Sequence, residues 1–159
     1  MKHTENDKKM PKAQILEDLF SGLQAEAVGV CLAYLQGSGA DLKTVDNIYI
    51  CCSTERCGVL GDFCFRINKK IVKKHTVNGL VPQLLQRKAN QTLAEIVEKL
   101  IALCKRHDMP VPTQIKLKYG VQNDSLQAEY QYKPVCNVRK FRLAEDVAEE
   151  WFTQLNTAT

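Results

Sequence analysis

The chain has no apolar run near the roughly 20 residues that a membrane-spanning helix needs, so a helical membrane protein is excluded. Its opening stretch, Met1-Lys2-His3-Thr4-Glu5-Asn6-Asp7-Lys8-Lys9, is polar and lacks the apolar core of a secretion signal. A cytoplasmic protein is expected. Internal repeats, low-complexity tracts and domain linkers are also missing. The expectation is a flexible tail over residues 1–12 and one domain over 13–159, long enough to bury a single core. Histidine is scarce, with three in 159 residues. His3 lies in the tail. His107 ends a helix, where a cation offsets the dipole, and His75 follows Lys73-Lys74 on a surface strand. A cysteine nucleophile needs a base within reach and a group to orient it. No catalytic signature flanks any of the three, so no catalytic residue is assigned and an enzyme is not expected.

Local absences of charge are as telling. From Arg66 to Lys88 there are seven Lys or Arg and no Asp or Glu. From Glu145 to the C-terminus there are four acids and no Lys or Arg. A basic run suits phosphates, but a lysine-rich turn also discourages edge pairing of strands. The net charge of +4 is a weak argument for a nucleic-acid binder. The acids Glu145, Asp146, Glu149 and Glu150 fall opposite the Leu143–Val147–Trp151 stripe of a helix and can dock on a basic partner.

Seven cysteines form an odd set that cannot pair fully within one chain. Free cysteine behaves as a small buried hydrophobe, and most of these fit a core in a reducing compartment. Cys57, in a Glu-Arg-Cys-Gly turn, is the one expected to be exposed. Zinc needs about four matched ligands. Cys51 and Cys52 are adjacent on a strand and point to opposite faces. No metal and no cofactor are therefore expected, although a small thiol or zinc protein built on Cys51, Cys52, Cys57 and Cys64 is a third reading.

What is present is amphipathic periodicity. Leu16, Leu19, Phe20, Leu23, Ala27, Val30, Cys31 and Tyr34 predict a helix from Ala13, closed by Gly37-Ser38-Gly39. Ile48, Ile50 and Cys52 line one face of a strand. Val59, Phe63, Phe65 and Ile67 mark a second strand, with Gly58 and Gly61 suggesting a turn or bulge. Asn68-Lys69-Lys70 turns the chain into a third strand, Ile71 to Val77. Leu93, Ile96, Val97, Leu100, Leu103 and Cys104 form a helical stripe. Thr92 with Glu95 fits a capping box, and Leu80 to Ala89 reads as a separate short helix. A last helix runs from Leu143 to Leu155, with Leu143, Val147, Ala148, Trp151, Phe152 and Leu155 inward.

Between the last two helices lies a hairpin. Ile115, Leu117, Tyr119 and Val121 alternate with polar residues, as do Leu126, Ala128, Tyr130 and Tyr132. A two-residue turn at Asn123-Asp124 sets Val121 opposite Leu126, Lys118 opposite Glu129 and Leu117 opposite Tyr130. The sum is an α+β domain, an antiparallel sheet of about five strands packed against N-terminal, central and C-terminal helices, with the helices on one face.

Pro112-Thr113-Gln114-Ile115-Lys116-Leu117, the return strand Leu126-Gln127-Ala128-Glu129-Tyr130 and Glu149-Glu150-Trp151-Phe152 resemble the YezG-like antitoxin and immunity family of bacterial polymorphic toxin systems. The likeness covers residues 13–156. It implies an immunity-type domain whose partner is a cognate toxin domain, commonly a nuclease, with an RNase favoured over a DNase. The contact residues that follow are Glu145, Asp146, Glu149 and Glu150, with Lys69, Lys70, Lys73 and Lys74 the alternative should the toxin carry an acidic patch. A nucleic-acid-binding module using residues 66–88 is the second reading. Homodimerisation stays open, with no motif for it.

Overall fold

Strand β1 (Val45–Ser53) is buried on both faces from Ile48 to Ser53, and the alternating direction of its side chains sorts the core into two layers. The computed structural model describes residues 12–55, 60–137 and 142–157. β1 is the centre of a five-stranded antiparallel sheet with β2 (Leu60–Ile67), β3 (Lys70–Lys73), β4 (Gln114–Gly120) and β5 (Ser125–Gln131), in the order β3-β2-β1-β4-β5. Ile48, Ile50 and Cys52 meet Phe65, Phe63 and Gly61 on one side, and Tyr119, Leu117 and Ile115 on the other. Their face packs on helices α1 (Lys12–Gly37) and α2 (Gln83–Arg106). Tyr49, Cys51 and Cys64 face the other way and pack on α3 (Ala144–Thr157). The expected α+β architecture is present, but its helices cover both faces. Two apolar stripes demand two helices on the first face, and the second apolar set of β1 is left for α3.

α2 follows the turn of three and four: Ala89, Leu93, Ile96, Val97, Leu100 and Cys104 are buried. It is one helix from Gln83, so the separate helix over Leu80 to Ala89 and the capping box at Thr92 are both corrected. Gly79 has φ +67° and Pro82 is extended, which starts the helix after them. Leu85 and Ala89 then extend the stripe through Thr92. The Thr92 hydroxyl donates to the carbonyl of Lys88 at 2.8 Å, a mid-helix bond rather than a cap.

α2 crosses β2 closely at Gly61. A Cβ there would stand 2.5 Å from the Cβ of Leu93. Asn90 Nδ2 donates to the Gly61 carbonyl at 2.7 Å. Gly61 is thus a point of helix–sheet contact, paired in register with Cys52, and not a bulge. The third strand is shorter than expected: β3 ends at Lys73, and Lys74–Thr76 form a 3₁₀ turn. Asn68 and Lys69, at φ 49° and 67°, make the preceding turn.

The β4–β5 hairpin is displaced by two residues from the expected register. Lys116 faces Glu129, Leu117 faces Ala128, Lys118 faces Gln127 and Tyr119 faces Leu126. The closing pair is Gly120 with Ser125, so residues 121–124 form a four-residue loop. That loop is held from outside the hairpin. Val121 N–H donates to the Asp46 carbonyl at 3.0 Å, and Gln122 Nε2 donates to the carbonyls of Leu42 and Val45, each at 2.9 Å. Tyr119 OH donates to Asp124 Oδ1 at 2.5 Å. A slip of two keeps every side chain on its expected face. Leu143, expected inward, is 39% exposed.

Candidate binding surface

α3 is seated by residues from four strands. Ala144, Val147, Ala148 and Phe152 form its buried inner face. Trp151 meets the ring of Tyr49 edge-on, with centroids 5.9 Å apart, and carries Lys116 Nζ over its own ring at 5.2 Å. Arg66 Nε donates to Tyr49 OH at 3.0 Å, and its Nη2 donates to the Leu155 carbonyl at 3.3 Å. The guanidinium therefore caps the negative end of the helix while bracing the aromatic beneath it. At the other end, Asp146 Oδ2 accepts from Leu143 N–H at 2.9 Å.

This packing turns Glu145, Asp146, Glu149 and Glu150 outward, and all four are exposed. Two of them are paired. Lys73 Nζ reaches Glu149 Oε1 at 2.6 Å, and Arg142 Nη2 reaches Glu150 Oε2 at 2.7 Å. The hydrogen bond to Glu149, with the charge behind it, raises the pKa of Lys73. Among the described residues Glu145 makes no ion pair or side-chain hydrogen bond.

The alternative lysines do not act as one group. Lys73 belongs to the acidic surface through Glu149. Lys74 turns inward to pair with Asp62, both side chains about one-fifth exposed, and lies 5.5 Å over the Phe63 ring. Its carbonyl accepts from Tyr34 OH at 2.5 Å. Lys69 uses its backbone: the N–H donates to Asp46 Oδ2 at 2.7 Å and the carbonyl accepts from Arg66 Nη1 at 3.3 Å. Lys70 stands exposed at the start of β3. Farther along the basic run, Lys88 lines a cleft with Val30, Tyr34 and Leu85 on the α1–α2 side. The run from Arg66 to Lys88 is therefore split between the two faces of the sheet.

Beside α3, the described residues leave part of the same sheet face open. A cleft of about 380 Å³ opens there between the helix and β4–β5, lined by Lys116, Gln131, Arg142, Glu150, Trp151 and their neighbours. Sequence reasoning did not single out Lys116 or Arg142. The even-numbered face of β4 was a usable signal for Lys116, since it places that lysine on the face to which Cys51 points. For Arg142 the sequence offers no comparable signal.

Among the described residues, Cys51, Cys52 and Cys64 do not converge on one site. Cys52 lies in the α1–α2 core, and Cys51 and Cys64 lie under α3. Burial pushes the Cys51 and Cys52 thiols up to about 12 and leaves them protonated and unreactive. Cys31, Cys51, Cys52, Cys64 and Cys104 are free thiols, whereas Cys136 is disulfide-bonded. Cys57 falls outside the described residues. Among the described residues no group of three His, Cys, Asp or Glu side chains is placed to hold a metal. None of the described helices is long and apolar enough to cross a membrane. Compared with known proteins, the chain matches no family model and no curated protein sequence.

Proposed function

We propose that this chain is an immunity protein that binds and neutralises a cognate toxin domain, a nuclease, with an RNase favoured over a DNase. The observation that carries the reading is the convergence of the three stretches on which the family resemblance rests. Gln114–Leu117 lie in β4, Leu126–Tyr130 lie in β5, and Glu149–Phe152 lie in α3. Lys116 over Trp151 and the shared cleft join β4 to α3, and β4 pairs along its length with β5. The outward face of α3 beside that cleft offers Glu145, Glu149 and Glu150 to a basic partner.

Energetics favour the acids of α3 over Lys74 as contacts. The Lys73–Glu149 and Arg142–Glu150 pairs are about half exposed. Pairs of that kind are worth about 0–1 kcal/mol. Exchanging them for contacts to a toxin costs little, and opposite charge raises the association rate. Lys74 is packed against Phe63 and Asp62 and cannot leave so cheaply. No chemical step on this chain is required.

The test is to purify the tagged chain from its native host after light cross-linking and identify what accompanies it. A stoichiometric nuclease domain that stops cleaving when the purified chain is added is the expected result. Nucleic acid alone, released at high salt, would overturn the reading and favour direct binding through Arg66 to Lys88.

A further inference from the structure

The two edges of the sheet are built differently. β3 is four residues long, begins and ends on lysine, and is tied to α3 through Lys73. Short, lysine-bearing edges resist pairing with another strand. β5 has none of these devices. It is seven residues long, Ser125-Leu126-Gln127-Ala128-Glu129-Tyr130-Gln131, with one charge and neither lysine nor proline. Six of the seven residues are exposed, and in the described sheet no strand lies outside β5.

One face of this edge is also apolar and already ordered. Leu126, Ala128 and Tyr130 stand over a groove of about 490 Å³ whose floor carries Phe20 and Met109 together with the polar Glu17, Ser21 and Gln24. Tyr130 is fixed from below by the Phe20 ring, centroids 5.9 Å apart, and by a hydrogen bond from Gln24 Nε2 to its hydroxyl. Leu126 is 38% exposed and Tyr132 is 53% exposed at the same edge.

We propose that β5 pairs antiparallel with β5 of a second copy of this chain, about a two-fold axis through Ala128, joining the two sheets into one. Ala128 is the midpoint of Ser125–Gln131, so this register alone pairs the whole strand with itself. On the groove face, Ala128 meets its own counterpart while each Leu126 meets the second copy's Tyr130. On the other face, each Gln127 amide meets a Glu129 carboxylate, to which it can donate. Moving the axis to Glu129 would set two carboxylates directly opposite, which destabilises a pair of strands. Ala128 at the axis is small enough to let Leu126 and Tyr130 close on both sides of it. A strand pair of this length falls short of the roughly 800 Å² per partner of a standard interface. The dimer is accordingly weak and concentration-dependent. This proposal does not rest on the immunity reading.

Sedimentation equilibrium of the full chain from about 1 μM to about 1 mM reads the association directly, and a monomer–dimer equilibrium is expected. Ala128→Lys, an exposed substitution that sets two cations together, should weaken dimerisation about tenfold or more. Cysteine cross-linking tests the register independently of that variant's folding. Facing Cα atoms in an antiparallel pair lie about 4.5–5.5 Å apart, within disulfide reach. Under mild copper–phenanthroline oxidation Ala128→Cys should form a covalent dimer. Leu126→Cys should do so only when mixed with Tyr130→Cys. A chain that stays monomeric throughout, even one whose β5 accepts a strand from another protein, overturns the proposal. So does a dimer in which Ala128→Cys fails to cross-link.

Discussion

Lys73 on β3 and Glu149 on α3 are joined across the sheet–helix boundary, Nζ to Oε1 at 2.6 Å. Lys73, from the basic run read in the sequence as a rival to the acidic helix, is therefore part of the same mixed surface as that helix. A partner that engages Glu149 must displace Lys73 or accommodate it. A double-mutant cycle with Lys73→Ala and Glu149→Ala should give a coupling of about 0.2–1 kcal/mol in thermal or urea unfolding, shrinking as salt is added. Glu149→Gln should return the Lys73 pKa toward its ordinary value, since the bond to Glu149 is the first cause of its rise.

Gly61→Ala is expected to destabilise the fold by about 1–3 kcal/mol, because the added methyl meets the backbone-anchored Cβ of Leu93. Urea unfolding followed by fluorescence of Trp151, the single tryptophan, reads this change. The paired control is Gly22→Ala, where a Cβ meets nothing within 4 Å. There the helix should gain up to about 1 kcal/mol.

How far the fold was legible follows from particular residues. Alternation in Ile115–Tyr119, and the spacing of Ile48, Ile50 and Cys52, marked these strands and one face of each, because a period of two survives any even slip. The hairpin register did not follow. It depends on Gln122 reaching the carbonyls of Leu42 and Val45, a contact made far along the chain. The Thr92–Glu95 box matched a local pattern that the stripe Leu85–Ala89–Leu93 overrode. Of the candidate surface, the acidic row on α3 was visible as a wheel. Its pairing with Lys73 and Arg142, and the Lys116–Trp151 contact, needed the tertiary structure.

Ser53 is buried, and its hydroxyl has no hydrogen-bond partner among the described residues. A buried hydroxyl without a partner keeps its desolvation cost. Ser53→Ala should therefore leave stability unchanged or raise it by about 1 kcal/mol in chemical denaturation.

The buried thiols set an alkaline limit. Burial holds Cys51 and Cys52 at about 12 in the folded chain, against an ordinary 9.0. The unfolded chain gives up those protons first. Their contribution to stability is therefore whole below pH 9 and lost as pH rises toward 12. Urea midpoints at about pH 8 and about pH 10.5 should differ less in Cys52→Ala than in the parent chain. Neither thiol should react with a thiol-specific reagent at neutral pH until the protein is unfolded.

The most direct test of the central claim is a titration of the copurified toxin domain's nuclease activity with this chain. Cleavage should fall to background near one equivalent of chain. A variant carrying Glu145→Lys, Glu149→Lys and Glu150→Lys should need about tenfold more or greater, since each reversal sets like charges together. Undiminished cleavage in excess wild-type chain would contradict the account.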